Sequence, residues 1–132
     1  MAGLSFLADA CALIIYHGRG GVGMTEAGKR IMEEGDVFVS SITVWEITRK
    51  ATLGKLAAPM PKGYAGGFAS WLSDAGYRML PLSCDDCERA NGLPDLHKDP
   101  MDRMLIASAL TNELTVVTND RMIARYGVST VW

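Results

Sequence analysis

Short apolar runs recur along this chain, and most are followed by a stretch with helical spacing. That alternation constrains the fold more than any other feature. A strand, a helix and a second strand in succession pack as a parallel βαβ unit. Leu4-Ser5-Phe6-Leu7-Ala8 reads as a buried strand, and Asp9 opens a helix toward Tyr16 because aspartate is a favoured N-cap. His17 to Gly23 reads as a glycine-rich loop, and Thr25 to Glu34 as a polar-faced helix ended by Gly35. Val37-Phe38-Val39 is a second buried strand. Val44, Ile47 and Ala51 then share one face of a helix over Thr43 to Leu53, which Gly54 stops.

Beyond the Pro59-Met60-Pro61 break, Phe68, Trp71 and Leu72 form the apolar stripe of a helix expected from Tyr64 to Ala75. Met79-Leu80-Pro81-Leu82 is a short strand, and its proline places it toward a sheet edge. Ser83 caps a helix reaching about Asn91, with Asp86 in the third position of a capping box. Asp99-Pro100 starts a helix through Leu110, since proline is at home in a first turn. Thr115 to Thr118 is a strand, Asp120 opens a short helix, and Val128 to Trp132 closes the sheet. The expected class is α/β, a central and mostly parallel sheet flanked by helices. At 132 residues the chain is expected to form one domain, residues 1–132.

Four acids, Asp9, Glu46, Asp102 and Asp120, fall where strands hand over to helices. In an open parallel sheet such positions converge outside the carboxyl ends of the strands, where ligands bind. Singly, each acid has an ordinary explanation. Asp9 and Asp120 serve as caps, Glu46 pairs with Lys50 one turn on, and Asp99 and Asp102 complement a helix dipole. Those explanations do not account for one shared edge. Carboxylates gathered there repel one another unless a cation lies between them, and oxygen-only clusters suit Mg²⁺ or Mn²⁺ better than zinc. The chemistry expected is metal-assisted work on a phosphodiester.

A net charge of −2 argues against a bulk electrostatic grip on nucleic acid, so any basic surface is local. Three cysteines give no paired framework and fit a reducing cytoplasm. The apolar run Ala10 to Tyr16 is too short to span a membrane, and no basic segment before it marks a signal peptide.

Two other motifs compete. Gly18-Arg19-Gly20-Gly21-Val22-Gly23 matches the dinucleotide fingerprint. Its glycines follow a helical stretch rather than a strand, however, and the next strand ends in Ser40 instead of an acid. A surface loop is the better reading. Cys84-Asp85-Asp86-Cys87 has redox-dithiol spacing, but the two intervening aspartates oppose a lowered thiol pKa, and no second pair completes a zinc site. His17, beside the glycine loop, and His97, before Asp99, could each approach a phosphate but read by default as satisfied surface histidines, and the methionines as core filler.

Four blocks in order carry a family resemblance: Phe6-Leu7-Ala8-Asp9; Ser40-Ser41-Ile42-Thr43-Val44-Trp45-Glu46-Ile47 with Lys50 and Leu53-Gly54-Lys55-Leu56; His97 through Ala107, centred on Asp102; and Val117-Thr118-Asn119-Asp120. Together they resemble a PIN-domain ribonuclease of the VapC toxin type, over essentially the whole chain. The resemblance implies a three-layer PIN-like fold and an Mg²⁺- or Mn²⁺-dependent endoribonuclease. In it Asp9, Glu46, Asp102 and Asp120 hold one or two ions, and a metal-activated water attacks RNA to leave a 5′-phosphate. Asp99, Thr43 and Thr118 are expected to orient those ligands. Lys50 and Arg103 are expected to hold phosphate or balance the cluster, with intrahelical pairing to Glu46 and Asp99 as the alternative. Arg19, Lys55 and Arg121 are candidates for the RNA backbone, with ordinary solvated surface charge as the default reading. The resemblance also implies a VapB-type antitoxin and a homodimer. Trp71, Tyr77 and Trp132 are candidate exposed interface anchors, although a buried core role is commoner for such residues. One departure stands out: many relatives carry Thr-His after the first aspartate, where this chain has Ala10-Cys11. The alternative function is an idle PIN-like module that binds RNA or protein.

Overall fold

The computed structural model of the protein describes residues 4–132. Its strands are β1 (Ser5–Ala8), β2 (Asp36–Ser40), β3 (Arg78–Leu80), β4 (Thr115–Val117) and β5 (Thr130–Val131). Its helices are α1 (Ala10–Arg19), α2 (Glu26–Glu34), α3 (Ser41–Thr52), α4 (Phe68–Asp74), α5 (Cys84–Gly92), α6 (Pro100–Thr111) and α7 (Arg121–Ala124). The five strands form one sheet in the order β3-β2-β1-β4-β5, and every neighbouring pair is parallel. The α/β class expected from the alternation of elements is the class observed.

Adjacent strand residues point to opposite faces of a sheet, and the core divides accordingly. Ala8, Val37, Val39 and Val117 pack on one face with Ala12 and Leu13 of α1, Met32 of α2 and Leu72 of α4. Leu7 and Val116 pack on the other with Leu105, Ile106 and Ala109 of α6 and Ile123 of α7. Helices therefore cover both faces, giving three layers. A parallel sheet buried on both sides needs near-continuous apolar strands, which the runs around Leu7 and Val116 supply. α3 straddles the end of the sheet, with Ile47 in one cluster and Ile42 against the other.

Several element boundaries depart from the sequence expectation, two of them at glycines. α1 runs through His17, Gly18 and Arg19 and stops at Gly20, whose φ of 62° forms a left-handed cap. A single helical glycine costs only about 1 kcal/mol, and the basic His17 and Arg19 suit the last turn. α4 begins at Phe68 instead of Tyr64, because Gly66 and Gly67 have φ of 106° and 88°, outside any helix. β3 is an edge strand as expected, but it spans Arg78–Leu80 rather than Met79 to Leu82, because the chain leaves the sheet before Pro81, which has no N–H for a ladder. The capping box of Ser83 and Asp86 is formed at the start of α5. No described helix is long and apolar enough to cross a membrane.

Candidate active site

In the order β3-β2-β1-β4-β5 the chain leaves β1 toward one side and later returns through β4 on the other, which makes the β1–β4 boundary the topological switch point. Ligands bind in the crevice at such a point, outside the carboxyl ends of the strands. Asp9 directly follows β1, and Thr118 directly follows β4. Ala8 pairs with Val117 in register, and the Asp9 N–H donates to the Val117 carbonyl at 3.2 Å. The two chain ends thus deliver Asp9 and Thr118 side by side.

A cavity of about 460 Å³ opens there, lined among others by Asp9, Thr43, Glu46, Lys50, Asp102 and Asp120. The four acids come from four elements. Asp9 caps α1, its Oδ1 accepting the Ala12 N–H at 2.8 Å. Glu46 lies in the second turn of α3, Asp102 in the first turn of α6, and Asp120 caps α7 through Oδ1 to the Met122 N–H at 2.9 Å. The capping roles are therefore real, and each occupies only one carboxylate oxygen. Capping and site membership coexist in the same side chains.

The electrostatics of the cavity are strained. Asp9 is 9% exposed, and its carboxyl is pushed up to about 6 from 3.8. Burial is the chief cause, with the charges of Glu46 and Asp120 adding to it and the Thr118 hydroxyl and Ala12 N–H opposing it. Asp102 is likewise raised to about 6 by burial first, then by Asp99, with Glu46 and Asp120 contributing and His97 opposing. Burying carboxylates together without enough countercharge costs free energy. Lys50 supplies part of that charge: its Nζ lies 2.8 Å from Glu46 Oε2, and that bond holds the ammonium pKa above the ordinary lysine value. The donor set, carboxylate oxygens in excess of nearby cations, fits a hard divalent ion such as Mg²⁺ or Mn²⁺.

Around these acids, Thr43 is buried in the cavity wall, and Thr118 Oγ1 accepts the Asp120 N–H at 3.0 Å while its hydroxyl contacts Asp9. Asp99 caps α6, its Oδ1 accepting the Met101 N–H at 3.0 Å, and acts on Asp102 and Lys50 through its charge. Cys11 lines the cavity, and burial raises its thiol pKa, with Asp9 adding to the effect.

Arg103 departs from the expectation that it holds phosphate. Its guanidinium donates to the carbonyls of Ala90, Leu93, Pro94 and His97 at 2.9 to 3.2 Å and to Tyr126 Oη at 3.4 Å. Nor does it pair with Asp99; the nearest carboxylate is Asp95 at 4.0 Å. A fork of fixed donors spent on loop carbonyls and the end of α5 has little left for a substrate. Arg103 ties the segment after α5 to α6.

His97 also differs from its expected place at the surface. Its Nε2 lies 2.9 Å from Asp102 Oδ2 and 3.1 Å from Asp120 Oδ2. One donor atom from each of His97, Asp102 and Asp120 falls within 4.8 Å of the other two. Sequence spacing alone carries no signal for this, since His97 is joined to Asp120 only through the fold. His17 is half-buried, with Nε2 2.6 Å from Tyr77 Oη and Trp71 edge-on to its ring. Of the aromatics considered as interface anchors, Tyr77 is buried, in line with the commoner core role, while Trp71 and Trp132 are half-buried. The strongly exposed aromatic among the described residues is Trp45, at 54%. Cys84 and Cys87 are exposed and free. The glycine motif begins in the last turn of α1, not after β1, so it lacks the strand-to-helix setting of a dinucleotide site.

Comparison with known proteins agrees with this architecture. The chain is similar to DNA-bound VapBC from Salmonella typhimurium, with a TM-score of 0.62 at 20% identity over 96% of each chain. It is similar to VapBC2 from Rickettsia felis bound to a promoter DNA fragment, with a TM-score of 0.58 at 12% identity over 96% of this chain and 97% of that one. A toxin–antitoxin complex from Klebsiella pneumoniae gives 0.56 at 16% identity over 87% and 86%. At these identities the likeness speaks for the fold. No curated protein matches the chain in sequence. The sequence profile of the PIN domain matches residues 6–128, nearly the whole chain. The chain belongs to the PIN-domain family.

Proposed function

We propose that this protein is a divalent-metal-dependent endoribonuclease, the VapC-type toxin of a type II toxin–antitoxin pair. The observation that carries the reading is the meeting of Asp9, Glu46, Asp102 and Asp120 in one cavity at the switch point of a PIN-domain sheet. Those four carboxylates would hold one or two Mg²⁺ or Mn²⁺ ions, directly or through water. When bound, such an ion lowers the pKa of a coordinated water and offsets charge on phosphoryl oxygens.

The chain's own residues do the rest. Thr118 holds Asp9 and the Asp120 backbone in place, Thr43 closes the wall beside Glu46, and Asp99 fixes the start of α6 and so the position of Asp102. Lys50, half-exposed at the rim, draws a phosphate toward the acids and keeps their mutual repulsion within bounds. Arg19 and Lys55 line a neighbouring groove that shares Ile14 with the acidic cavity, a course along which an RNA backbone continues. The toxin assignment and a VapB-type antitoxin partner draw support from fold likeness to toxin–antitoxin complexes. A homodimer in the cytoplasm completes the proposal.

The test is cleavage of labelled RNA. Mg²⁺ or Mn²⁺ should support cutting, a chelator should stop it, and Asp9→Asn or Asp102→Asn should abolish it. Binding of RNA without metal-dependent cutting would select the idle-module alternative.

A further inference from the structure

His97 stands on the segment between α5 and α6, outside every helix that supplies an acid, yet its ring reaches two of the four carboxylates. Its Nδ1 accepts the backbone N–H of Asp99 at 3.3 Å. An imidazole nitrogen that accepts a backbone N–H carries no proton itself, so in the neutral ring the proton lies on the other nitrogen. Nε2–H therefore faces the two acids and donates to Asp120 Oδ2 at 3.1 Å, with Asp102 Oδ2 in close polar contact at 2.9 Å.

The backbone beneath the ring is held as firmly. The His97 N–H donates to Tyr126 Oη at 2.6 Å, and the Leu96 N–H donates to the same oxygen at 3.2 Å. Arg103 donates to the His97 carbonyl at 3.2 Å. Tyr126 follows α7 and Arg103 belongs to α6, so the two elements that carry Asp120 and Asp102 also grip the residue that bridges them. A side chain fixed at both ring nitrogens and at its backbone has little rotamer freedom left to lose.

We propose that His97 is a positioning residue that clamps Asp102 to Asp120 and so preorganises the divalent-metal site. This rests on the metal-dependent reading of the cavity. The ring acts as a donor to carboxylates rather than as a metal ligand: its Nε2 proton occupies the lone-pair direction a metal would need. Its contribution is to hold together two acids on separate helices that otherwise repel each other. Groups that orient metal-binding side chains in this way commonly change metal affinity about 10- to 100-fold when removed.

The experiment is calorimetric titration of the intact protein with Mn²⁺, for the wild type and for His97→Ala, His97→Gln and His97→Asn. A glutamine amide reaches the position of Nε2 and keeps the donor, whereas the shorter asparagine reaches only that of Nδ1. The expected result is Mn²⁺ affinity lowered about 10-fold or more in the alanine and asparagine variants and held within about threefold in the glutamine variant. If the alanine variant does not fold, the glutamine–asparagine comparison decides. Equal affinity in all folded variants, or equal loss in glutamine and asparagine, overturns the clamp. So does a directly bonded nitrogen coupling in the electron paramagnetic resonance of Mn²⁺ on the wild type, which would make the ring a ligand. Absence of Mn²⁺ binding by the wild type overturns the metal reading itself and the clamp with it.

Discussion

Ala8 and Val117 face each other across the β1–β4 pairing, so Asp9 and Thr118, the next residue on each strand, leave the sheet together. The Thr118 hydroxyl lowers the Asp9 pKa against burial, and its oxygen also accepts the Asp120 N–H. Thr118→Val keeps the volume and removes both interactions. Mn²⁺ affinity measured by calorimetry should fall about 10-fold, and the Asp9 carboxyl should titrate still higher. Unchanged affinity would show that Thr118 only fills space.

The raised pKa values of Asp9 and Asp102, each about 6 against 3.8, set a sign for pH dependence. Between 3.8 and about 6 the metal-free folded protein keeps protons that the unfolded chain has released. The stability these groups contribute is full below that window and is lost as pH rises through about 6, at about 1.4 kcal/mol for each pH unit of displacement per group. Melting in chelator should therefore occur at lower temperature at about pH 7.5 than at about pH 5, with Mn²⁺ restoring more at the higher pH. His17, whose pKa burial lowers, acts in the opposite sense, so the Asp9 share is read from Asp9→Asn, which should flatten the fall. The same pH dependence in that variant as in the wild type would contradict the raised pKa of Asp9.

Lys50 separates charge balance from substrate contact. Lys50→Met removes the ammonium 2.8 Å from Glu46 and leaves the cluster more negative. Divalent affinity should rise a few-fold, while RNA cleavage at limiting substrate falls about 10-fold through weaker phosphate attraction. A parallel fall in both would assign Lys50 to the metal site.

Arg103→Lys tests the architecture next to the site. An ammonium cannot reproduce a planar fork that serves the end of α5, the loop carbonyls and Tyr126 at once. A urea midpoint lowered by the equivalent of about 2–4 kcal/mol is expected. A change in RNA affinity without loss of stability would return Arg103 to the substrate.

Gly28, inside α2, tests the close approach of the chain's last residue. Glycine to alanine in a helix ordinarily stabilises by up to about 1 kcal/mol. Here an added Cβ would lie 2.5 Å from the Trp132 carbonyl carbon and 2.8 Å from its oxygen. That carbonyl is pinned by the Thr25 N–H at 3.0 Å and by the Thr25 hydroxyl. Gly28→Ala should lower the melting temperature, and an increase would show that the Trp132 backbone gives way.

These residues also show what a sequence can and cannot disclose here. Strand-to-helix alternation was enough for the class of fold, because apolar runs such as Val37 to Val39 and Thr115 to Val117 have few other ways to bury both faces. Pro81 pointed to the edge position of β3, although the strand stops one residue before it. Asp9, Glu46, Asp102 and Asp120 were readable as a group because the ends of parallel strands converge. Arg103 and His97 were not. Their partners are loop carbonyls, a tyrosine and an aspartate 23 residues away, set by tertiary placement and not by local spacing. Helix ends shifted for a simpler reason: Gly18 is tolerated inside α1, whereas Gly66 and Gly67 delay α4.

The most direct measurement is anomalous diffraction from a crystal grown with Mn²⁺. A peak enclosed by Asp9, Glu46, Asp102 and Asp120, and lost in Asp9→Asn, is the expected result. A well-ordered crystal with no peak among these four side chains, at manganese concentrations that saturate known sites of this kind, would contradict the proposed chemistry.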